Sequence, residues 1–127
     1  MRNFIVFNNT FVYDTYALIE ILKENPNYRP YLDSNIMIND FIFAEFCYVL
    51  FRDKDPKADK YIQEIESFIV HVSPTVIKNA MEFRFNWKDR KVSITDCMGY
   101  FMAKELGINF LTGDKEFEKL ENVEFVK

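Results

Sequence analysis

The chain has 127 residues, a length that allows one domain with its own core and leaves little room for a second. Hydrophobic residues make up 49% of it, with only three glycines and four prolines, so the composition excludes a disordered or low-complexity protein. The formal charge is −4, which argues against binding a polyanion through general electrostatic attraction, unless several acidic residues converge on a bound cation.

Strand-like and helical segments alternate along the chain, which we take as one domain spanning residues 1–127. Short runs of β-branched and aromatic residues indicate strands, and apolar residues that recur on one face indicate helices. In the first half these patterns predict strands at 4–7, 11–13 and 36–38, a hairpin turn at Asn8-Asn9, a helix at 16–24 ended by Pro26, a helical turn at 28–32, and an apolar helix capped by Asn39 or Asp40 that reaches Phe51.

The second half continues the alternation, and three of its helices have clear start signals. Asp55-Pro56 opens a helix at 56–68 and Ser73-Pro74 another at 74–87, because proline is tolerated in the first helical turn. Ser93 opens a helix at 94–106, and Gly107 is expected to end it. The remaining predictions are strands at 69–72, 109–112 and 123–126 and a short helix at 114–120.

Such alternation predicts an α/β fold in which a parallel sheet is covered by helices on both faces. In these folds, ligands bind beyond the carboxyl ends of the strands. Asp14 follows the strand at 11–13 and Asp114 follows the strand at 109–112, so both are expected to face the same crevice. The order of the elements therefore predicts a functional site around these two carboxylates.

The sequence predicts a cytoplasmic protein that does not enter a membrane. Its first residues lack the long apolar core of a secretory signal, and its longest apolar stretch, 41–51, is too short to span a bilayer. Cys47 and Cys97 lie far apart and are interpreted as reduced thiols. His71 has no His or Cys partner at ligand spacing, which disfavours a zinc site.

Three acidic residues have an ordinary structural interpretation. Asp14 and Asp114 precede helices, where a capping carboxylate accepts hydrogen bonds from free backbone N–H groups. Ser93 and Asp96 stand three residues apart at a helix start, as in a capping box. Considered one at a time, all three are open to a capping role as well as to a functional one.

Glu45 is harder to explain as a structural residue. It lies within 41–51, which is hydrophobic nearly all round and is therefore expected to be a buried helix. An unpaired carboxylate there is strongly disfavoured, and no Lys or Arg lies one helical turn away. A salt bridge to a distant residue is one solution. A metal ion shared with the other carboxylates fits better, because hard cations such as Mg²⁺ bind carboxylate oxygens and keep several waters.

A metal ion held by carboxylates points to the hydrolysis of phosphodiesters. One or two metal ions can activate a water molecule and stabilise the charge that develops on the phosphate. The sequence offers no suitable His, Ser or Cys constellation for nucleophilic catalysis. Metal-activated water is therefore the expected nucleophile.

Four short motifs follow one another along the chain. They are Val12-Tyr13-Asp14-Thr15, the helix start from Asn39 to Glu45, Ser93-Ile94-Thr95-Asp96 with Leu106-Gly107 at the end of its helix, and Leu111-Thr112-Gly113-Asp114. In this order and spacing they resemble the motifs of the PIN domain family, especially the toxin nucleases of VapBC-type toxin–antitoxin systems. The resemblance covers essentially the whole chain. One departure is Tyr16, where many members carry Asn.

The resemblance implies a three-layer PIN-like fold with a five-stranded parallel sheet flanked by helices. It also implies cleavage of RNA, a homodimer, and an antitoxin that blocks the site. The residues implied to hold Mg²⁺ or Mn²⁺ for this cleavage are Asp14, Glu45, Asp96 and Asp114. Other matching positions are Thr15, Ser93 and Thr112, which are expected to support the acidic cluster, and Glu116, an additional acid of secondary importance.

The basic residues that contact RNA phosphates are not marked by any motif. Lys88, Arg90 and Lys91 lie just before the motif that begins at Ser93, so we expect this cluster to bind RNA, although solvated surface charge also explains such residues. Two other functions stay open: a PIN-fold nuclease of RNA maturation, and a PIN-fold binding module or scaffold with little catalysis. The presence of all four acids favours an enzyme over a scaffold.

Overall fold

Four parallel strands form one sheet within residues 9–127, the part of the chain that the computed structural model describes. The strands are β1 (Thr10–Tyr13), β2 (Asn35–Met37), β3 (Asn109–Thr112) and β4 (Val123–Phe125). Their order across the sheet is β2-β1-β3-β4, and every neighbouring pair is parallel. The strands β1 and β3 are therefore central, and the acids that follow them lie at the middle of one sheet edge.

Four of the five α-helices of the described residues begin where a side chain caps them. The side chains of Asn39, Ser73 and Ser93 each accept a hydrogen bond from the backbone N–H three residues later. Gly107 adopts a left-handed conformation, with φ of 71°, and ends the last helix. None of these helices is long and apolar enough to cross a membrane. They are α1 (Thr15–Leu22), α2 (Asp40–Arg52), α3 (Ala58–Ile65), α4 (Pro74–Asn86) and α5 (Ile94–Leu106).

Both faces of the central strands are covered. All four residues of β1 are buried, and so are the last three residues of β3. Because successive side chains point to opposite faces of a sheet, this burial requires helices on both sides. The helices α1 and α5 both contact β1 and β3. Helix α5 lies close to β3 because Gly99 has no Cβ, which would overlap the Phe110 ring. The predicted α/β fold, with a parallel sheet flanked by helices, is confirmed.

The described sheet has four strands rather than the expected five, and the predicted strand at 69–72 is wrong. Ile38 and Ile69 form a single parallel bridge, and the Val70 N–H donates to the Ile38 carbonyl at 2.8 Å. The pairing stops there because Ser73 caps α4 only three residues later, which turns the chain away from the sheet edge. The predicted strand at 4–7, and with it the proposed hairpin, lies outside the described residues.

Three predicted helices are shorter or tighter than expected. The helix predicted at 56–68 begins only at Ala58, because the Asp55 carboxylate accepts the Lys57 N–H at 2.8 Å and holds a turn around Pro56. Its last residues form the 3-10 helix Glu66–Phe68. The helical segments predicted at 28–32 and 114–120 are the 3-10 helices Pro26–Tyr31 and Lys115–Phe117.

Candidate active site

The carboxyl ends of the two central strands lead into a cavity of about 650 Å³. Asp14 follows β1, and its N–H donates to the carbonyl of Leu111 on β3 at 3.0 Å, so the two strand ends are held side by side. Asp114 follows β3, Glu45 comes from α2, and Asp96 lies in the first turn of α5. The structure therefore brings all four predicted acids to one cavity.

Asp14 is the buried member of this group, with only 2% of its surface exposed. Its Oδ1 accepts the Ala17 N–H at 2.7 Å, which caps α1, and its Oδ2 accepts the Thr112 hydroxyl at 2.5 Å. Burial raises the pKa of Asp14 to about 6, against the opposing effect of these hydrogen bonds. One carboxylate thus serves as a helix cap and also faces the cavity, so the two interpretations of Asp14 do not exclude each other.

Glu45 is half-buried, which corrects the expectation that its helix is buried all round. Only one face of α2 packs into the core, and the opposite face carries exposed aromatic side chains. Glu45 Oε1 accepts the Thr15 hydroxyl at 2.5 Å, and no Lys or Arg of the described residues forms an ion pair with it. Glu45 is therefore held by a threonine and not by a salt bridge. The exposed aromatic residues of α2 are Phe41, Tyr48 and Phe51.

Asp96 and Asp114 are held by hydrogen bonds within their own turns. The Asp96 N–H donates to Ser93 Oγ at 2.9 Å, and the Asp114 N–H donates to Thr112 Oγ1 at 3.0 Å. Burial raises the pKa of Asp96 well above its usual value, and the negative charges of the other three acids raise it further. The four carboxylates therefore repel one another in this arrangement.

The chemistry of this cluster fits a hard divalent cation, which would relieve the repulsion. Carboxylate oxygens are the ligands that Mg²⁺ and Mn²⁺ prefer. Within the described residues, no three His, Cys, Asp or Glu side chains form a ready-made ligand set. Such a cage is not needed for Mg²⁺, because proteins usually hold this ion with one or two carboxylates, several waters and substrate phosphates. The site suits an ion that shares its coordination with water or substrate.

The predicted secondary acid and the predicted RNA-binding residues lie outside the cavity. Glu116 Oε1 is 3.0 Å from Arg90 Nε, although the two groups are not aligned as a hydrogen bond. The Arg90 guanidinium also lies 4.3 Å from the centre of the Trp87 ring. Arg90 and Glu116 thus form an ion pair with each other. Lys88 and Lys91 do not line the cavity either, and the roles of these four residues in metal or RNA binding stay predictions.

Two neighbours of the acids, Tyr16 and Lys127, were not predicted as site residues from the sequence. The Tyr16 ring packs so closely on Gly113 that a Cβ at that position would overlap it. Lys127 Nζ lies 5.0 Å from the centre of the same ring. Tyr16 stood out only as a departure from the family pattern, and no pattern pointed to Lys127, because it reaches the site through the pairing of β4 with β3. Other cavity residues are Ile19, Val49, Arg52, Asp53 and Lys115.

Comparison with known proteins identifies one family. The model of the PIN domain matches residues 11–123, a span that contains all four acids. By sequence, no curated protein is a significant match. Sequence similarity therefore links the chain to the family as a whole.

Solved structures of toxin–antitoxin proteins share the fold at low sequence identity. A toxin–antitoxin complex from Klebsiella pneumoniae matches with a TM-score of 0.73 and 16% identity, over 90% of this chain and 95% of that one. Mycobacterium tuberculosis VapC20, described as a toxin that cleaves the sarcin-ricin loop, matches with a TM-score of 0.71 and 18% identity, over 92% of this chain and 99% of that one. VapBC2 from Rickettsia felis, bound to a DNA fragment from its promoter, matches with a TM-score of 0.72 and 18% identity, over 93% of this chain and 99% of that one.

Proposed function

The chain belongs to the PIN domain family, and from this premise we propose that it is a divalent-metal-dependent endoribonuclease, the toxin of a VapBC-type toxin–antitoxin pair. The observation that carries the proposal is the convergence of Asp14, Glu45, Asp96 and Asp114 on one cavity at the carboxyl ends of the central strands. We further place the protein in the cytoplasm, where such a toxin meets its RNA substrate.

In this proposal the four acids hold Mg²⁺ or Mn²⁺, and two threonines orient the side chains of Asp14 and Glu45. When bound, such a metal would supply an activated water and stabilise negative charge on the phosphodiester. Thr112 donates to Asp14 Oδ2 and Thr15 donates to Glu45 Oε1, so a threonine hydroxyl orients each of these two carboxylates. The Ala17 N–H further fixes Asp14, so this carboxylate cannot rotate away from the cavity.

An antitoxin is the proposed protein partner. The structural neighbours from Klebsiella pneumoniae and Rickettsia felis are toxin–antitoxin complexes, which supports the same kind of partner for this chain. The acidic cavity is complementary to an Arg or Lys side chain, and Tyr48 and Phe51, 65% and 58% exposed, offer apolar surface on α2, which also contributes to the cavity. We expect the antitoxin to place a cationic side chain among the acids and apolar side chains on α2.

A homodimer is the proposed assembly of the free toxin. Large apolar side chains are exposed on α4 as well as on α2, with Phe85 70% and Ile77 37% exposed. Surfaces of this kind are commonly covered by a partner. Light scattering after size-exclusion chromatography would give the mass of the free protein, and that of the complex after co-expression with the antitoxin.

Cleavage of RNA is the decisive test. Mixed single-stranded and structured RNA is incubated with the wild type in Mg²⁺, in Mn²⁺ and in EDTA, beside the Asp96→Asn variant. We expect cleavage in either metal, none in EDTA and none by the variant. Cleavage that survives in EDTA or in Asp96→Asn would reject the metal site. A protein that folds but cuts no RNA in any condition would favour the scaffold function.

Growth distinguishes a toxin from a nuclease of RNA maturation. Induced expression of the wild type is expected to stop the growth of a bacterial host, and Asp96→Asn is expected to have no effect. An antitoxin encoded next to the chain should restore growth when expressed with it. Cleavage in vitro without any effect on growth would instead support a role in RNA maturation.

A further inference from the structure

Three cationic side chains line the acidic cavity, and they differ in their partners. Arg52 is paired with the adjacent Asp53, with Nε 3.0 Å from Oδ1. Lys115, on the 3-10 helix after β3, and Lys127 are both exposed, and Lys115 forms no ion pair within the described residues. Lys127 forms no ion pair with any carboxylate of the described residues, although four acids line the same cavity. Its charge is therefore not neutralised within this part of the protein.

The position of Lys127 is fixed from several sides. Its Nζ donates to the Gly113 carbonyl at 3.3 Å, and its own carbonyl accepts the Tyr16 hydroxyl at 3.2 Å. The preceding residue, Val126, donates its N–H to the Thr112 carbonyl at 2.9 Å and accepts the hydroxyl of Tyr28 at 2.7 Å. The ammonium group is thus held beside Gly113, which separates Thr112 from Asp114.

The Tyr16 ring is the surface on which this ammonium group rests. It lies 5.0 Å from Lys127 Nζ, a distance typical of a cation–π contact. The ring can occupy this place only because Gly113 has no Cβ. Tyr16, Gly113 and Lys127 therefore form one packed unit at the cavity, and this unit explains why the bulky Tyr16 is tolerated directly after the metal-site motif.

We propose that Lys127 binds a phosphate oxygen of the RNA strand next to the phosphodiester that is cut, and that Tyr16 positions it there. The inference rests on the proposed ribonuclease function. An ammonium group has three N–H donors, and only one of them is used by Gly113, so two are available to a phosphate. Lysine is a common point-charge ligand of phosphates, and such contacts position the strand without reading its sequence.

The negative charge of the protein favours such a contact. The chain has a formal charge of −4 and concentrates carboxylates at the site, so the RNA backbone meets a repulsive surface wherever a metal does not neutralise it. A fixed and unpaired cation at the cavity supplies local attraction there. The basic cluster around Arg90 lies outside this cavity, and its arginine is already paired with Glu116.

The test compares Lys127→Gln with Lys127→Arg, and uses Lys60→Gln as a matched control on the exposed face of α3. In cleavage assays we expect Lys127→Gln to raise KM about tenfold with kcat nearly unchanged, since a charged hydrogen bond to bound substrate is lost. Lys127→Arg should keep most of the wild-type KM. Lys60→Gln should match the wild type.

Salt dependence of binding separates a phosphate contact from a structural role. A short single-stranded RNA is titrated at several NaCl concentrations against proteins that also carry Asp96→Asn, which prevents cleavage. Loss of one phosphate contact should reduce the slope of log K against log salt by about 0.7 in Lys127→Gln. Lys127→Arg and Lys60→Gln should keep the slope of the parent.

The outcomes distinguish this inference from the function on which it rests. A wild type that neither binds nor cuts RNA overturns the proposed function, and the inference with it. A wild type that cuts RNA while Lys127→Gln keeps the same KM and salt slope overturns the inference alone. Equal losses of thermal stability and kcat in Lys127→Gln and Lys127→Arg, with the slope unchanged, would make Lys127 a structural residue and also overturn it.

Discussion

Asp14 and Glu45 line the same cavity, and each accepts a hydrogen bond of 2.5 Å from a threonine hydroxyl, yet their surroundings differ. Asp14 is buried at the end of a central strand, where it also caps α1. Glu45 is half-buried in the middle of α2 and caps nothing. A carboxylate paired with a threonine therefore lies in the core of the fold at Asp14 and nearer to the surface at Glu45.

The difference teaches how structural and functional roles can be separated at one site. A carboxylate that caps a helix is needed for folding and for chemistry, so its loss mixes the two effects. A half-buried carboxylate within a helix contributes little to the stability of the fold. The reason for its presence must therefore lie in what it binds. Substitutions at the two positions should therefore change activity alike and stability differently.

The largest expected effect is on cleavage by Asp14→Asn. The asparagine keeps an oxygen for the Ala17 N–H but loses the charge that the metal requires. Because the loss of residues that merely support metal ligands already costs about 10- to 100-fold, we expect a proposed ligand such as Asp14 to cost more than that. Cleavage rates measured under saturating Mg²⁺ would test this, with circular dichroism to verify the fold. An unfolded variant would show that the Asp14 carboxylate is needed for the fold itself.

The next effect concerns the pH dependence of the free energy of unfolding without metal. The pKa of Asp14 is raised from 3.8 to about 6 in the folded protein, so the folded state holds this proton more tightly than the unfolded state. The stability that depends on Asp14 is present in acid and is lost as the pH rises from about 4 to 6. Relative to Asp14→Asn, the free energy of unfolding of the wild type should fall by on the order of 2 kcal/mol between pH 4.5 and pH 7.5.

Urea unfolding in EDTA at these two pH values gives the difference directly. Asp59→Asn, which removes an exposed aspartate of α3, is the matched control and should leave the pH dependence of the wild type unchanged. Parallel curves for the wild type and Asp14→Asn would contradict the raised pKa. Addition of Mg²⁺ should stabilise the wild type most at the higher pH, where the carboxylates are ionised.

A smaller effect separates the two threonines. Thr112→Val removes the donor to buried Asp14 and the acceptor of the Asp114 N–H, and should lower the free energy of unfolding by about 1–3 kcal/mol. Thr15→Val removes one donor to half-buried Glu45, which water can replace, and should cost less than about 1 kcal/mol. Equal losses in urea unfolding would mean that the two carboxylates are equally dependent on their threonines.

Much of this arrangement could be predicted because it depends on local rules. The residues that follow β1 and β3 must share one edge of a parallel sheet, so Asp14 and Asp114 were expected to be neighbours. Ser93 at a helix start placed Asp96 in the first turn of α5. These inferences need only the type and order of the elements.

Other features depend on contacts between distant segments and were therefore missed. The apolar sequence of α2 predicted burial all round, whereas packing covers only one of its faces and leaves Glu45 half-buried. The segment 69–72 has a strand-like sequence, but Ser73 begins a helix before more than one bridge can form. Lys127 reaches the cavity only through the pairing of β4 with β3, which no local pattern reveals.

The smallest expected effect is that of Glu45→Gln on stability. The glutamine keeps an oxygen for the Thr15 hydroxyl, and the loss of one negative charge relieves repulsion with Asp96 in the absence of metal. We expect the melting temperature in EDTA to be equal to that of the wild type or slightly higher, while cleavage falls about tenfold or more. Glu64→Gln, on the exposed side of α3, controls for the removal of a surface charge. A clear drop in melting temperature would mean that the Glu45 charge is paired within the fold, and the contrast between Asp14 and Glu45 would then have to be given up.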